Sequence, residues 1–183
     1  MKPLYKTLLL AGSFLISFGV DAYDYDPLLM RAQATMFPKI ILLDKDINDK
    51  HDDGNITILI LHAKQESAVA ENLKDLIVQQ YTNHLGKNNL TVESVDFDNF
   101  DQERVATAYF LLKGTKEIHE KITTHAASKK RLVFSYDYKD FTNNALISIL
   151  MKEKTYIYLN KQAIHSYDIN FIPLFYKIVK VIE

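Results

Sequence analysis

Ile56-Thr57-Ile58-Leu59-Ile60-Leu61 decides the fold class. The run is continuously apolar apart from one threonine and rich in β-branched residues, which suits a central parallel strand covered on both faces. Asp53-Gly54-Asn55 before it is a turn signal. After it, Val69, Leu73, Leu76, Ile77 and Tyr81 recur at helical spacing and predict a helix over Lys64 to His84, ended by Gly86. Upstream, Asp26 caps and Pro27 opens a helix running to about Leu43, with Leu28, Leu29, Ala32, Met36 and Ile40 on one face and a kink or early end expected at Pro38.

The alternation continues downstream. Strands are predicted at Leu90 to Val95, Ala106 to Leu112 and Arg131 to Ser135, with a helix from Gly114-Thr115 to about Ala127 between the last two. Strands alternating with helices argue for an α/β domain: a single-domain, three-layer, Rossmann-like sheet, mostly parallel. The rhythm then changes. Leu146 to Met151 and Thr155 to Leu159, separated by Lys152-Glu153-Lys154, predict an antiparallel hairpin at the C-terminal edge. A short helical segment over Asn160 to Asp168 follows. Asn170 is expected to cap a last helix, with Pro173 in its first turn and Leu174, Ile178, Val181 and Ile182 facing inward.

The N-terminus predicts a compartment. Lys2 and Lys6 precede the apolar stretch Thr7 to Val20, and Val20-Asp21-Ala22 supplies the residues a signal peptidase reads. Residues 1–22 are expected to be a cleaved secretory signal peptide and residues 23–183 the mature domain. An uncleaved anchor is the alternative, but the apolar run falls short of the roughly 20 residues that span a bilayer. No later segment is long and apolar enough to insert, so no stable membrane insertion is expected after cleavage. The 183-residue chain has no cysteine, which removes disulfides and thiol-based metal or redox sites. That absence favours a bacterial periplasm, where the triplets Asn55-Ile56-Thr57 and Asn89-Leu90-Thr91 carry no glycan meaning. The mature part holds 20 basic and 22 acidic residues, a balance with no footprint for nucleic acid.

Motifs for hydrolysis, zinc chemistry and nucleotide binding are missing, so no enzyme activity and no cofactor are expected. The first strand leads into His62-Ala63-Lys64-Gln65 without the glycine that lets a backbone approach phosphates. His51-Asp52-Asp53 reads as a solvated turn rather than a metal site. His119 and His125, six apart on one helix, do not share a face and cannot grip one ion. His62, at the carboxyl end of the central strand, is the candidate small-ligand contact, with a plain polar cap as the alternative. Tyr156 and Tyr158 alternate with Ile157 and Leu159, giving one tyrosine-rich strand face. It suits either a partner contact or packing beneath a helix.

The C-terminal third resembles a known family. Phe141-Thr142-Asn143-Asn144-Ala145-Leu146-Ile147-Ser148-Ile149, then Tyr156-Ile157-Tyr158-Leu159-Asn160, Lys161-Gln162-Ala163 and Ile169-Asn170-Phe171-Ile172-Pro173-Leu174-Phe175 look like the end of YfiR-like periplasmic proteins. Asn144-Ala145 stands where relatives carry Gly-Gly, and the cysteines that form disulfides in many relatives are missing. The resemblance implies a periplasmic regulator that binds and represses the periplasmic sensor domain of an inner-membrane diguanylate cyclase, lowering cyclic di-GMP and biofilm formation. Such control needs differential affinity for the inactive cyclase and no reaction of its own. A periplasmic small-ligand binding protein is the alternative function. The oligomeric state stays open, a homodimer being one arrangement the sequence allows.

Overall fold

The computed structural model describes residues 24–51 and 53–182, without the side chains of residues 142 and 143. The expected signal peptide and its cleavage point, and Asp52 of the His51-Asp52-Asp53 turn, lie outside the described residues. Among the described residues, no helix is long and apolar enough to cross a membrane.

The apolar run Ile56 to Leu61 lies in β1 (Asn55–His62), with Ile56 and Ile58 to Leu61 buried. It is the parallel partner of two strands, β3 (Asn88–Asp96) on one side and β4 (Ala108–Leu111) on the other. Parallel pairing continues through β5 (Leu132–Ser135) to β6 (Ile147–Met151). β7 (Thr155–Asn160) turns back antiparallel to β6, as the Lys152-Glu153-Lys154 spacing predicts. Two further strands close the ends: β2 (His84–Leu85) antiparallel to β3, and β8 (Val179–Ile182) parallel to β7. The order is β2-β3-β1-β4-β5-β6-β7-β8.

Helices cover both faces, giving the three-layer α/β architecture expected. Helix α1 (Pro27–Ile41) starts at an Asp26 carboxylate that accepts the amides of Leu28 and Leu29, and lays Phe37 against Phe110 of β4 and Phe134 of β5. Helix α2 (Ser67–Tyr81) shares that face and is tied to α1 by the Tyr81 hydroxyl, which donates to the Thr35 carbonyl. On the other face, α3 (Lys116–Ser128) sets His125 beside Tyr109 of β4, with 3.2 Å between ring nitrogen and phenol oxygen. Helix α4 (Lys161–Tyr167), capped by Asn160, packs next to α3.

Three local expectations are corrected. Pro38 neither kinks nor ends α1 early: the helix runs on to Ile41, and Phe37, Pro38, Ile40 and Ile41 are all buried. Burial of that last turn outweighs the roughly 3 kcal/mol that an interior proline costs. The α2 helix ends in left-handed Thr82 (φ 49°) rather than at Gly86, which instead makes the turn between β2 and β3 with φ 65°. The final segment is not one long helix. A short α5 (Pro173–Ile178) begins after Ile172 and gives way to β8. Asn170 serves as acceptor for Lys45 rather than as a cap. Phe175 is the buried anchor of α5, whereas Leu174 (60% exposed), Ile178 (54%) and Val181 (51%) face outward. The β-branched run Ile178-Val179-Lys180-Val181-Ile182 prefers a pleated edge to a helix.

Candidate functional site

Two places on the scaffold concentrate chemistry. The first follows from strand order. From β1 the chain goes to β3 on one side, then crosses to β4 on the other. A crevice opens at such a switch point, outside the carboxyl ends of the strands. Here it is about 270 Å³ and lined by Ala63, Lys64 and Gln65 after β1, Asp96, Phe97 and Asp98 at the end of β3, and Gly114, Thr115 and Ile118 at the start of α3. Thr115 caps α3, its side chain accepting the Ile118 amide at 3.4 Å. Gly114 is required by packing: a Cβ there would lie 2.8 Å from Phe97 Cε2 and 2.9 Å from His119 Nε2.

His62 sits beside this crevice without lining it. Its ring is on the α2 face of β1, almost buried, with Nδ1 2.8 Å from the Ala63 carbonyl oxygen and with Glu71 of α2 in electrostatic reach. The residues that face the crevice are the three that follow it in sequence. The glycine absent from the first strand-to-helix turn stands instead at the turn after β4, where Gly114-Thr115 starts α3.

Next to the crevice lies a partly buried polar chain. His119 is fully buried, and Nε2 donates to the Leu112 carbonyl at 3.0 Å. Its Nδ1 faces Asp140 Oδ1 at 3.5 Å, an ion pair only when the ring is protonated. Asp140 Oδ2 accepts from Ser135 Oγ at 2.6 Å. Serine, aspartate and histidine therefore meet, but in the wrong order for nucleophilic catalysis. There the imidazole must lie between hydroxyl and carboxylate to take the proton, whereas here the carboxylate is in the middle. The cluster fastens the 3-10 segment Tyr138–Asn143 to α3 and β5. His125 points elsewhere, to Tyr109, and burial holds its pKa below the usual histidine value. Among the described residues, no group of three or more His, Asp or Glu is placed to hold a metal ion.

The second place is the tyrosine face of β7. Pairing in register puts Tyr156 and Tyr158 on the same face as Lys180 of β8. Tyr158 lies 5.7 Å from the Tyr138 ring and 6.3 Å from the Tyr156 ring, so three tyrosines form a row. Lys180 Nζ sits 3.5 Å from the Tyr156 ring centroid. Neither Tyr156 nor Tyr158 is buried beneath a helix: both are half-exposed, and Tyr138 is 39% exposed. Next to this row is a groove of about 420 Å³ lined by Tyr138, Lys139, Phe141, Asn144, Asn160, Gln162 and Ile182. Tyr138 was not legible as a partner of Tyr158 in the sequence, because the 3-10 turn that carries it had no periodic signature.

The class defined by this geometry is an α/β domain with a mostly parallel sheet and helices on both faces. No family model matches the chain. No curated protein matches it. Solved structures share the fold. A conserved domain protein from Vibrio cholerae O1 biovar El Tor strain N16961 superposes with a TM-score of 0.59 at 11% identity, over 84% of this chain and 60% of that one. The ABC domain from Streptococcus pneumoniae, in complex with L-Trp, superposes with a TM-score of 0.57 at 12% identity, over 81% of this chain and 60% of that one. The alignments thus take in about 60% of the length of these two structures. At such identities the likeness is one of fold.

Proposed function

We propose that this protein is a non-catalytic regulator of the periplasm that acts by binding a second protein. In the reading that the YfiR-like resemblance implies, the partner is the periplasmic sensor domain of an inner-membrane diguanylate cyclase. Binding holds the cyclase inactive, and release raises cyclic di-GMP and biofilm growth. The observation that carries this reading is the half-exposed row Tyr138, Tyr158, Tyr156 with Lys180 against it. Rigid aromatic side chains with a polar tip are the residues that dominate protein contacts. Moving a cyclase from almost wholly active to almost wholly inactive takes on the order of 10⁴-fold preference for the inactive form, ~5.5 kcal/mol. A contact through tyrosine anchors worth ~2 kcal/mol each contributes to that preference only where it is made to the inactive form and not to the active one. The test is genetic and biochemical together. Deleting the gene is expected to raise cyclic di-GMP, and the wild-type gene, but not one carrying Tyr156→Ala and Tyr158→Ala, is expected to restore it. Unchanged cyclic di-GMP after deletion sinks the proposal.

A second reading has its own observation, the crevice at the switch point. Its walls combine Phe97 and Ile118 with Lys64, Asp96 and Asp98, a mixture suited to a small zwitterion with an apolar side chain. The Streptococcus pneumoniae neighbour holding L-Trp is in keeping with this reading. Thermal unfolding in the presence of millimolar L-Trp checks it: a rise in Tm by mass action supports a ligand site, and no shift removes tryptophan as the ligand.

A further inference from the structure

We propose that the outer edge of β8 accepts an extended acidic segment of a partner protein as an added strand of the sheet. The inference rests on the partner-binding reading above and deepens it by naming the chemistry of the contact.

Strand β8 ends the sheet, and among the described residues no strand pairs with its outer side. A free strand edge presents a row of backbone donors and acceptors that a second chain can complete. β8 contains no proline, and its sequence Val179-Lys180-Val181-Ile182 has strong β propensity. The surroundings single this edge out. Seven large hydrophobic residues are exposed among those described, and four of them, Leu174, Tyr176, Ile178 and Val181, lie on or next to β8. Exposed apolar residues gathered in one place mark a contact surface, whereas scattered ones do not.

Charge names the occupant. From Met151 to Glu183 there are five lysines and three acids, whereas residues 24–150 hold 15 basic and 19 acidic residues. One of those three acids, Asp168, is already paired with Lys130 at 2.5 Å. Lys152 and Lys154 bracket the turn before β7, Lys177 precedes β8 and Lys180 lies within it. The register divides the edge into two faces: Lys180 with Tyr158 on one, Val179 and Val181 with Ile157 and Leu159 on the other. An added strand continues this alternation. It sets acidic side chains against Lys180 and the tyrosines, and apolar side chains against Val181. The occupant is therefore a segment alternating valine-like and glutamate-like residues, rather than a second copy of this basic edge.

The test is an NMR titration of the purified ¹⁵N-labelled protein with a capped eight-residue Val-Glu repeat, with a Val-Lys repeat of equal length as control. The expected result is saturable shifts at residues 177–182 and at Tyr156 and Tyr158, slowed amide exchange in β8, and no response to the lysine peptide. Lys180→Glu, an exposed change that leaves the fold intact by circular dichroism, is expected to weaken the glutamate peptide roughly fivefold to tenfold and to bring in the lysine peptide. Equal binding of both peptides overturns the proposal, as do shifts confined to residues 63–65 and 114–118. So does concentration-dependent pairing of β8 without peptide, which makes a second copy the occupant. The titration contains no cyclase, so a cyclase that fails to bind removes that partner while the peptide result alone decides the edge.

Discussion

Replacing Gly114 by alanine probes the packing that shapes the crevice. The added methyl carbon would stand 2.8 Å from Phe97 Cε2, 3.1 Å from Phe97 Cζ and 2.9 Å from His119 Nε2. Carbon contacts are favourable at about 3.5–4.0 Å, so the neighbours must retreat by roughly 0.7 Å. Neither has room. Phe97 is buried between the crevice and α3, and His119 is fully buried. His119 cannot move far without losing the 3.0 Å hydrogen bond from Nε2 to the Leu112 carbonyl. Overpacking costs about 1–3 kcal/mol, and stranding a buried carbonyl about 1–3 kcal/mol more. Alanine returns about 0.4–1 kcal/mol by restricting the unfolded chain. The expected net loss is about 3 kcal/mol. In urea unfolding followed by circular dichroism, with a slope of ~2 kcal/mol per molar, that is a midpoint lowered by about 1.5 M. Adding Phe97→Leu to the variant should recover part of the loss, because the two changes share one contact. A midpoint within about 0.2 M of wild type would refute the crowding argument and the crevice geometry with it.

Other outcomes follow from the same structure. Asp44 and Lys50 form a buried ion pair at 2.5 Å, so Lys50→Met alone is expected to cost about 3 kcal/mol in denaturant melts, and the added change Asp44→Asn to cost less than its own single effect. Burial pushes the Tyr81 phenol up to about 12 and raises that of Tyr167 further. A pKa raised on folding leaves stability intact below the unfolded value near 10 and erodes it as pH climbs through the folded one, so melting temperatures should hold to about pH 9.5 and fall from pH 10 to 12. Tyr81→Phe should flatten that fall, and an unchanged slope would show that its phenol is not shielded. Tyr158→Ala is expected to weaken partner binding at least about tenfold, beyond the stability lost by removing a half-buried ring that touches Tyr138 and Tyr156; isothermal titration and thermal melts on the same samples separate the two.

Much of this architecture was legible because burial writes a clear signature. β1, β4 and β5 are apolar runs covered on both faces, and each appeared where its run predicted. The ends of the sheet were not legible. β2 is only two residues long, and β8 follows α5 with Leu174, Ile178 and Val181 at spacings that imitate a helical stripe. Helical spacing implied burial there, yet Phe175 alone anchors α5. The candidate sites divide in the same way. Tyr156 and Tyr158 share a face by strand alternation, which sequence can show; Tyr138 and Lys180 join them only through tertiary approach. His62 stands at the carboxyl end of β1 on the α2 face and is not among the residues lining the crevice, which is walled by Ala63 to Gln65 and by the start of α3.

In the proposed function, this domain works by gripping another protein through its tyrosine-bearing C-terminal end. The most direct measurement is the dissociation constant between the purified protein and the periplasmic sensor segment of a membrane diguanylate cyclase, the proposed partner, for wild type and for the triple change Tyr138→Ala, Tyr156→Ala, Tyr158→Ala. The expected result is saturable binding that the triple change weakens at least about a hundredfold, with both proteins folded. Equal affinity for the two forms would contradict it.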